Sequence, residues 1–328
     1  MRIFIAGASG AVGPRLVRQL VERGHEVIGT TRSPQKVTRV RAQRAEAVVL
    51  DLLDPVAVRE AVASARPDAI VHEATSLSGT SDLRNFDGTF AATNRLRTDG
   101  TDALLAAAHE NGVGVFVAQS FAGWPYARQG GAVKVEEDPL DPTPVPAMHE
   151  TLAAIRHLEQ ATVGAGGAAL RYGGLYGSPD DVQLELVRKR RFPMVGDGGG
   201  IWSFVHLDDA AAATVLAVEQ AARGIYNVVD DEPAPVREWL PVLAAAIGAK
   251  PPRHVPRWLA RLLAGEAGVV LMTQIRGASN AKAKRELGWI LRYPTWREGF
   301  RAAYGEGPAG LSRRRSRPPR SRPATADR

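Results

Sequence analysis

The chain of 328 residues contains no cysteine, which excludes both a disulfide framework and thiolate catalysis. It also lacks any run approaching the roughly 20 apolar residues that a membrane-spanning helix needs. Met1 leads directly into an apolar strand, with no basic n-region or cleavage site, so the cytoplasm is the expected compartment. Histidines are few. The most metal-like, His254 and the His72–Glu73 pair, have no partners at ligand spacing, and no metal is expected. Excess charge is missing from most of the chain as well. The net charge is +7, but Gly307 to Arg328 carries seven arginines against one aspartate, so the rest is close to neutral. That Pro/Ser/Arg-rich tail is too poor in apolar residues to build a core and reads as a disordered extension. The remainder has no nucleic-acid signature, and its 45% hydrophobic and 23% charged residues are ordinary for a globular protein.

What is present alternates. Apolar Ile3, Phe4 and Ile5 precede a glycine turn and a helical pattern in which Val12, Leu16, Val17, Leu20 and Val21 share one face. Strand-like runs follow in HEVIGTT, EAVVLDLLD, DAIVHEAT, GVFVAQS and AALRYGG, separated by helical stretches. Such alternation predicts βαβ units, a parallel sheet and an α/β fold of the Rossmann type, doubly wound. Beyond about Ser178 the rhythm changes to short helices between Gly- and Pro-rich loops. The spacing predicts a dinucleotide-binding domain over 1–177, a smaller substrate lobe over 178–306 interleaved with it, and the tail over 307–328. PRWLARLLAGEAGVVLM reads as a lid or a core helix pair.

The first turn, GASGAVG, places Gly7, Gly10 and Gly13 between a strand and a helix. Glycines there allow a tight turn, close approach of the backbone to a diphosphate, and a helix N-terminus aimed at its charge. Ser9, Ala11 and Val12 lie in the same turn.

The GxxGxxG spacing resembles the short-chain dehydrogenase/reductase superfamily, in particular its extended, epimerase/dehydratase-like branch. VHEAT resembles that family's fourth-strand motif, and TNRLRTDGTDALLAAA its Asn-containing helix. ALRYGGLYG is similar to its LRPxxxYGP strand, with Tyr172 in place of the proline. FVHLDDAAAA and AKRELGWILRYPTWREGF resemble its later landmarks. The resemblance runs to about residue 305 and implies a bound nicotinamide dinucleotide. It places the ribose at the end of the second strand, where a carboxylate favours NAD and an arginine favours NADP. Here stand Thr31, Arg32 and Ser33, so NADP is expected, with NAD as the alternative. The resemblance further implies Asp51 and Leu52 beside the adenine, and Glu73, Ala74, Thr75 and Asn94 along the cofactor.

The same resemblance implies a tyrosine and, four residues on, a lysine: one passes the proton, the other lowers its pKa and holds the ribose. The matching stretch, PAMHETLAAIRHLE (Pro146 to Glu159), has neither; Met148 is followed at that spacing by Leu152, and Thr151 by Ile155. None of the six tyrosines has a lysine four residues later. Ser120 matches the family's substrate-orienting serine. Tyr126, six residues on, and His149, at the start of the helix, are the candidate replacement acids. Tyr172 either faces the cleft or packs beneath it. In sugar-nucleotide enzymes of the branch an arginine precedes the FVHLDD match; Trp202 stands there instead, with Arg188, Arg190 and Arg191 nearby.

Three functions remain open: an NADPH-dependent reductase of a small, rather apolar carbonyl or unsaturated compound, a cofactor-binding sensor without catalysis, and a sugar-nucleotide epimerase or dehydratase. The expected partner is a small-molecule substrate, without a specific nucleic acid or membrane; a homodimer is allowed.

Overall fold

Apolar runs such as Ile3–Phe4–Ile5 and Ala69–Ile70–Val71 suit strands covered on both faces, and so they fold: each of these residues is buried. The computed structural model describes residues 1–77, 82–178 and 182–305; the basic tail from Gly307 lies outside them. The chain runs through β1 (Arg2–Ala6), α1 (Gly13–Glu22), β2 (Glu26–Thr31), α2 (Val37–Arg41), β3 (Glu46–Val49), α3 (Pro55–Ala65) and β4 (Ala69–His72). It continues with α4 (Phe86–Arg95), α5 (Thr101–Glu110), β5 (Val115–Phe121), β6 (Val133–Lys134), α6 (His149–Gly164) and β7 (Ala168–Tyr172). The next stretch holds β8 (Gly174–Tyr176), α7 (Val182–Arg188), β9 (Met194–Val195), β10 (Ile201–Trp202), β11 (Phe204–His206), α8 (Leu207–Glu219) and β12 (Gly224–Val228). Last come β13 (Ala234–Pro235), α9 (Val236–Ala246), β14 (His254–Val255), α10 (Arg257–Thr273), β15 (Gly277–Ala278), α11 (Ala281–Leu287) and α12 (Trp296–Tyr304).

Seven of the strands form one parallel sheet in the order β12-β7-β5-β4-β1-β2-β3. From β1 the chain winds outward through β2 and β3, then returns to β4 and winds the other way. The reversal between β1 and β4 opens a crevice at the carboxyl ends of the strands, where ligands of doubly wound sheets bind. α1 and α8 cover one face, over Ile3, Ile5, Val71, Val117 and Leu170. α3 and α5 cover the other, over Phe4, Ile28, Ile70 and Phe116.

β12 and α8 fall in 178–306 by sequence but pack into the sheet and core of 1–177, so the two proposed lobes are interleaved. A separate core gathers Phe204, Trp239, Trp296 and Phe300. Two expectations need adjustment. The helix expected from Thr93 onward carries a π turn at Leu96–Gly100 between α4 and α5. α10 is broken at Gly265, whose φ of 70° is non-helical; Trp258, Leu262 and Leu263 before the break are exposed, and Ala267, Val269 and Val270 after it are buried. Among the described residues no helix is long and apolar enough to cross a membrane, and no cluster of His, Asp and Glu could hold a metal ion.

Candidate active site

The turn after β1 is built on backbone proximity. Gly7 has φ +98°, and a Cβ there would lie 2.7 Å from the Ala74 nitrogen, so only glycine lets this turn lie against the segment after β4. A Cβ on Gly13 would meet the Ala8 carbonyl oxygen at 2.3 Å, which brings α1 hard against the turn. Gly10 donates its N–H to Gly7 O at 2.9 Å and otherwise faces open space. α1 starts with no side-chain cap; Pro14 has no N–H and Arg15 N is bonded to Val12 O, so the N–H groups left to meet an anion, favoured there by the helix dipole, are those of the turn up to Gly13.

An elongated cavity of about 220 Å³ runs from this turn along the carboxyl ends of the strands. Its floor is Gly7, Ser9 and Gly10. One end is walled by Thr31, Arg32, Ser33 and Lys36 after β2 and by Leu50, Asp51 and Leu52 after β3. Glu73, Ala74, Thr75 and Ser76 wall it beyond β4. The Thr31 hydroxyl is tied to Ser9 Oγ at 2.9 Å and accepts from Ser33 N at 3.2 Å. Arg32 is exposed and makes no side-chain hydrogen bond or ion pair among the described residues. The uncapped helix start and the open side of Gly10 fit a dinucleotide's diphosphate.

Four of the expected cofactor residues are not in this wall. Ala11 is exposed at the start of α1, Val12 is buried in the core beneath it, and Gly13 is closed against Ala8. Ala11, Val12 and Gly13 therefore offer backbone N–H groups at most. Asn94 is buried and donates through Nδ2 to Thr151 Oγ1 at 3.1 Å. Thr30, Lys36, Leu50, Ser76 and Leu96 line the cavity without having been expected. Lys36 carried a signal: a second cation four residues after Arg32, at the start of a helix.

The catalytic candidates Ser120, Tyr126 and His149 lie outside the cavity wall. Thr151 and Ile155, one turn apart on α6, are both buried. Asp87 holds Thr151, accepting from its N at 2.8 Å and its Oγ1 at 2.6 Å. Ser120 is buried and donates to Glu159 Oε1 at 2.6 Å. Arg171 makes two bonds of 2.7 Å to the same carboxylate and donates to the Tyr126 hydroxyl at 2.8 Å. Tyr126 donates in turn to Asn227 Oδ1 at 2.7 Å. Ser120 and Tyr126 are thus joined, but through a buried ion pair and away from the cavity wall. Tyr126 is fully buried, and burial pushes its pKa up to about 12 against the pull of Arg171. The phenol is enclosed in this arrangement and does not line the cavity. His149 is exposed at the first residue of α6, outside the cavity wall. His72 is a packed strand-end residue, with Nε2 3.0 Å from Leu96 O and a pKa lowered to about 4 by burial.

Glu73, expected along the cofactor, is an acid that sequence reasoning did not offer as a proton donor. Its carboxyl is buried, with Oε1 2.7 Å from the Tyr172 hydroxyl, which also contacts Thr214 Oγ1. Burial raises Glu73 to about 8. Tyr172 therefore faces Glu73 beneath the cavity. Trp202 packs on Trp239, with ring centroids 5.2 Å apart, and donates to Leu271 O at 2.9 Å.

Comparison with known proteins agrees with this geometry. Residues 3–229 match the NAD dependent epimerase/dehydratase family. A 3-diazoavenalumate denitrifying reductase from Streptomyces sp is 41% identical over 309 residues, 92% of this chain and 99% of that protein. A 2-alkyl-3-oxoalkanoate reductase from Stenotrophomonas maltophilia is 31% identical over 267 residues, 76% of each chain. The crystal structure of a human epimerase family protein with NADPH superposes with a TM-score of 0.73 at 18% identity, over 93% of this chain and 99% of that one.

Proposed function

The chain belongs to the NAD dependent epimerase/dehydratase family and is an NAD(P)-dependent oxidoreductase, and we propose that it uses NADPH to reduce a small, rather apolar carbonyl or unsaturated compound. The observation that carries this reading is a complete dinucleotide cleft beside an α6 that offers Thr151 and Ile155 in place of a phenol and an ammonium. Neither Thr151 nor Ile155 can take a proton from an alcohol, which disfavours oxidation and the sugar-hydroxyl chemistry that begins with that step. Relatives named as reductases support the same direction.

When bound, the nicotinamide supplies the hydride. The residues that would hold the dinucleotide are the Gly7–Gly10 turn with the start of α1 at the diphosphate, and Arg32 with Lys36 at the ribose. No carboxylate stands at the end of β2 to repel a 2′-phosphate, where two exposed cations favour one; Asp51 follows β3. NADPH should therefore bind more tightly than NADH, and Arg32→Asp should abolish the preference. A loss of about 1.5–3 kcal/mol, the usual worth of a hydrogen bond to a charged group, is expected. Equal affinities in the parent protein by fluorescence titration would refute the choice of cofactor.

A second reading is favoured by the 41% identical relative and by the same α6. A diazonium acceptor takes hydride at carbon while the C–N pair departs with N₂, and that exchange needs no proton. Two probes test both readings by loss of NADPH absorbance: ethyl acetoacetate and a carboxybenzenediazonium salt. A protein that binds NADPH and consumes it with neither would end the reductase reading.

A further inference from the structure

The cavity has a direction. Arg32, Lys36 and Asp51 mark its ribose–adenine end over β2 and β3, and Gly7 with Gly10 mark the diphosphate over β1. What remains of the wall lies on the far side of β1, after β4. There, where the reacting end of the cofactor and its acceptor belong, stands Glu73. Its side chain is buried, yet it borders the cavity, and its Oε2 has no hydrogen-bond partner among the described residues.

The Tyr172 hydroxyl donates to Glu73 Oε1 at 2.7 Å and also contacts Thr214 Oγ1, which donates to Ala210 O at 2.9 Å. The hydroxyls thus hold Oε1 and leave Oε2 as the oxygen that can carry a proton. Among the described residues no cation is bonded to this carboxyl, in contrast to the buried carboxylate of Glu159.

We propose that Glu73, backed by Tyr172 and Thr214, is the proton donor of the reduction, an acid moved from α6 to the end of β4. This rests on the reductive reading above. The acceptor's carbonyl carbon takes the hydride, the C=O π pair moves to oxygen, and that oxygen takes the Glu73 proton as its O–H bond. NADPH is oxidised to NADP⁺, and Glu73 is left as a carboxylate that the Tyr172 hydroxyl stabilises through its bond to Oε1. A proton from solvent restores the acid. Burial raises Glu73 to about 8, so the acid is neutral at pH 7. Tyr172, the titratable group facing it from β7, is raised well above its ordinary value by burial and by Glu73, so it relays rather than ionises. α8 contributes Thr214.

The test compares the parent with Glu73→Gln on the two probes, because ketone reduction needs a proton and denitrogenation does not. Glu73→Gln should lower turnover of ethyl acetoacetate by about 10²–10⁴-fold, the usual worth of a general acid. The loss on the diazonium should be smaller, so that the ratio of ketone to diazonium turnover falls by about 10-fold or more. The infrared spectrum of the cofactor-free parent should show a neutral carboxylic C=O band at pH 7 that is absent from Glu73→Gln and titrates away as pH passes about 8. If Glu73→Gln fails to fold, Glu73→Asp keeps the band but withdraws the acid, and ketone turnover should fall more than diazonium turnover. Unchanged ketone turnover, an equal loss on both probes, a parent that accepts only the diazonium, or no acid band would overturn the donor role. A parent inert to both probes would instead overturn the reductive reading, and the donor role with it.

Discussion

Two buried assemblies in this protein are made from the same parts, a glutamate, a tyrosine and a small hydroxyl, and they differ by one guanidinium. Around Glu159, Arg171 supplies two hydrogen bonds to the carboxylate and a third to Tyr126, and Ser120 donates as well. Around Glu73 no cation is bonded among the described residues, and Tyr172 and Thr214 lie behind it. The first is a closed ion pair between α6 and β7, its charges satisfied and turned away from the dinucleotide cavity. The second remains a neutral acid with one oxygen unpaired. The comparison teaches that burial alone does not decide what a glutamate can do. A bonded counter-charge makes it a structural brace, and its absence leaves a proton to give.

The strongest way to break the comparison is to remove the cation. Arg171→Met should strand Glu159 as an unpaired charge in the core and destabilise the fold by about 3–5 kcal/mol in urea unfolding. A loss below about 1 kcal/mol would mean that the pair is solvated and the two assemblies are not the contrast drawn here.

A pH series sharpens it next. The unfolded chain gives up the Glu73 proton around 4.5, whereas the folded chain keeps it until about 8. The stability contributed by that proton is therefore full below 4.5 and fades as pH rises to about 8. Asp230, raised to about 8 by burial, acts in the same sense, so the parent should be measured against Glu73→Gln. The parent should lose a few kcal/mol more than the variant over that window by chemical denaturation. Parallel curves would show that Glu73 is ionised in the fold.

The smallest effect concerns the tyrosine on the braced side. Tyr126→Phe leaves Asn227 and one Arg171 N–H without their partner and should cost about 1–3 kcal/mol, while ethyl acetoacetate turnover at a temperature where the variant is folded stays within about twofold. A turnover loss of about 10²-fold or more with stability intact would return Tyr126 to the catalytic role that its place in the sequence suggested.

The cofactor half of the site was readable because its physics is local. A strand, a tight glycine turn and a helix start bring their own anion site, and Arg32 follows β2 directly. The strand–helix alternation likewise determined a doubly wound parallel sheet, since apolar runs without polar alternation need helices on both faces. For Ser120 the sequence did hold a clue. On β5 it shares the two-residue period of Phe116 and Ala118, and that face is turned to the helices.

Other features could only be decided by the tertiary structure. Tyr126 reaches Arg171 and Asn227, 45 and 101 positions away, and Glu73 meets Tyr172 across 99. Those meetings depend on strand order, which sets β5 between β4 and β7 and brings α8 beneath them. Which carboxyl acquired a cation, and so which one kept its proton, follows from that order. Local residue patterns determine the backbone of a turn; the charge state of a buried acid depends on whatever distant side chains are packed against it.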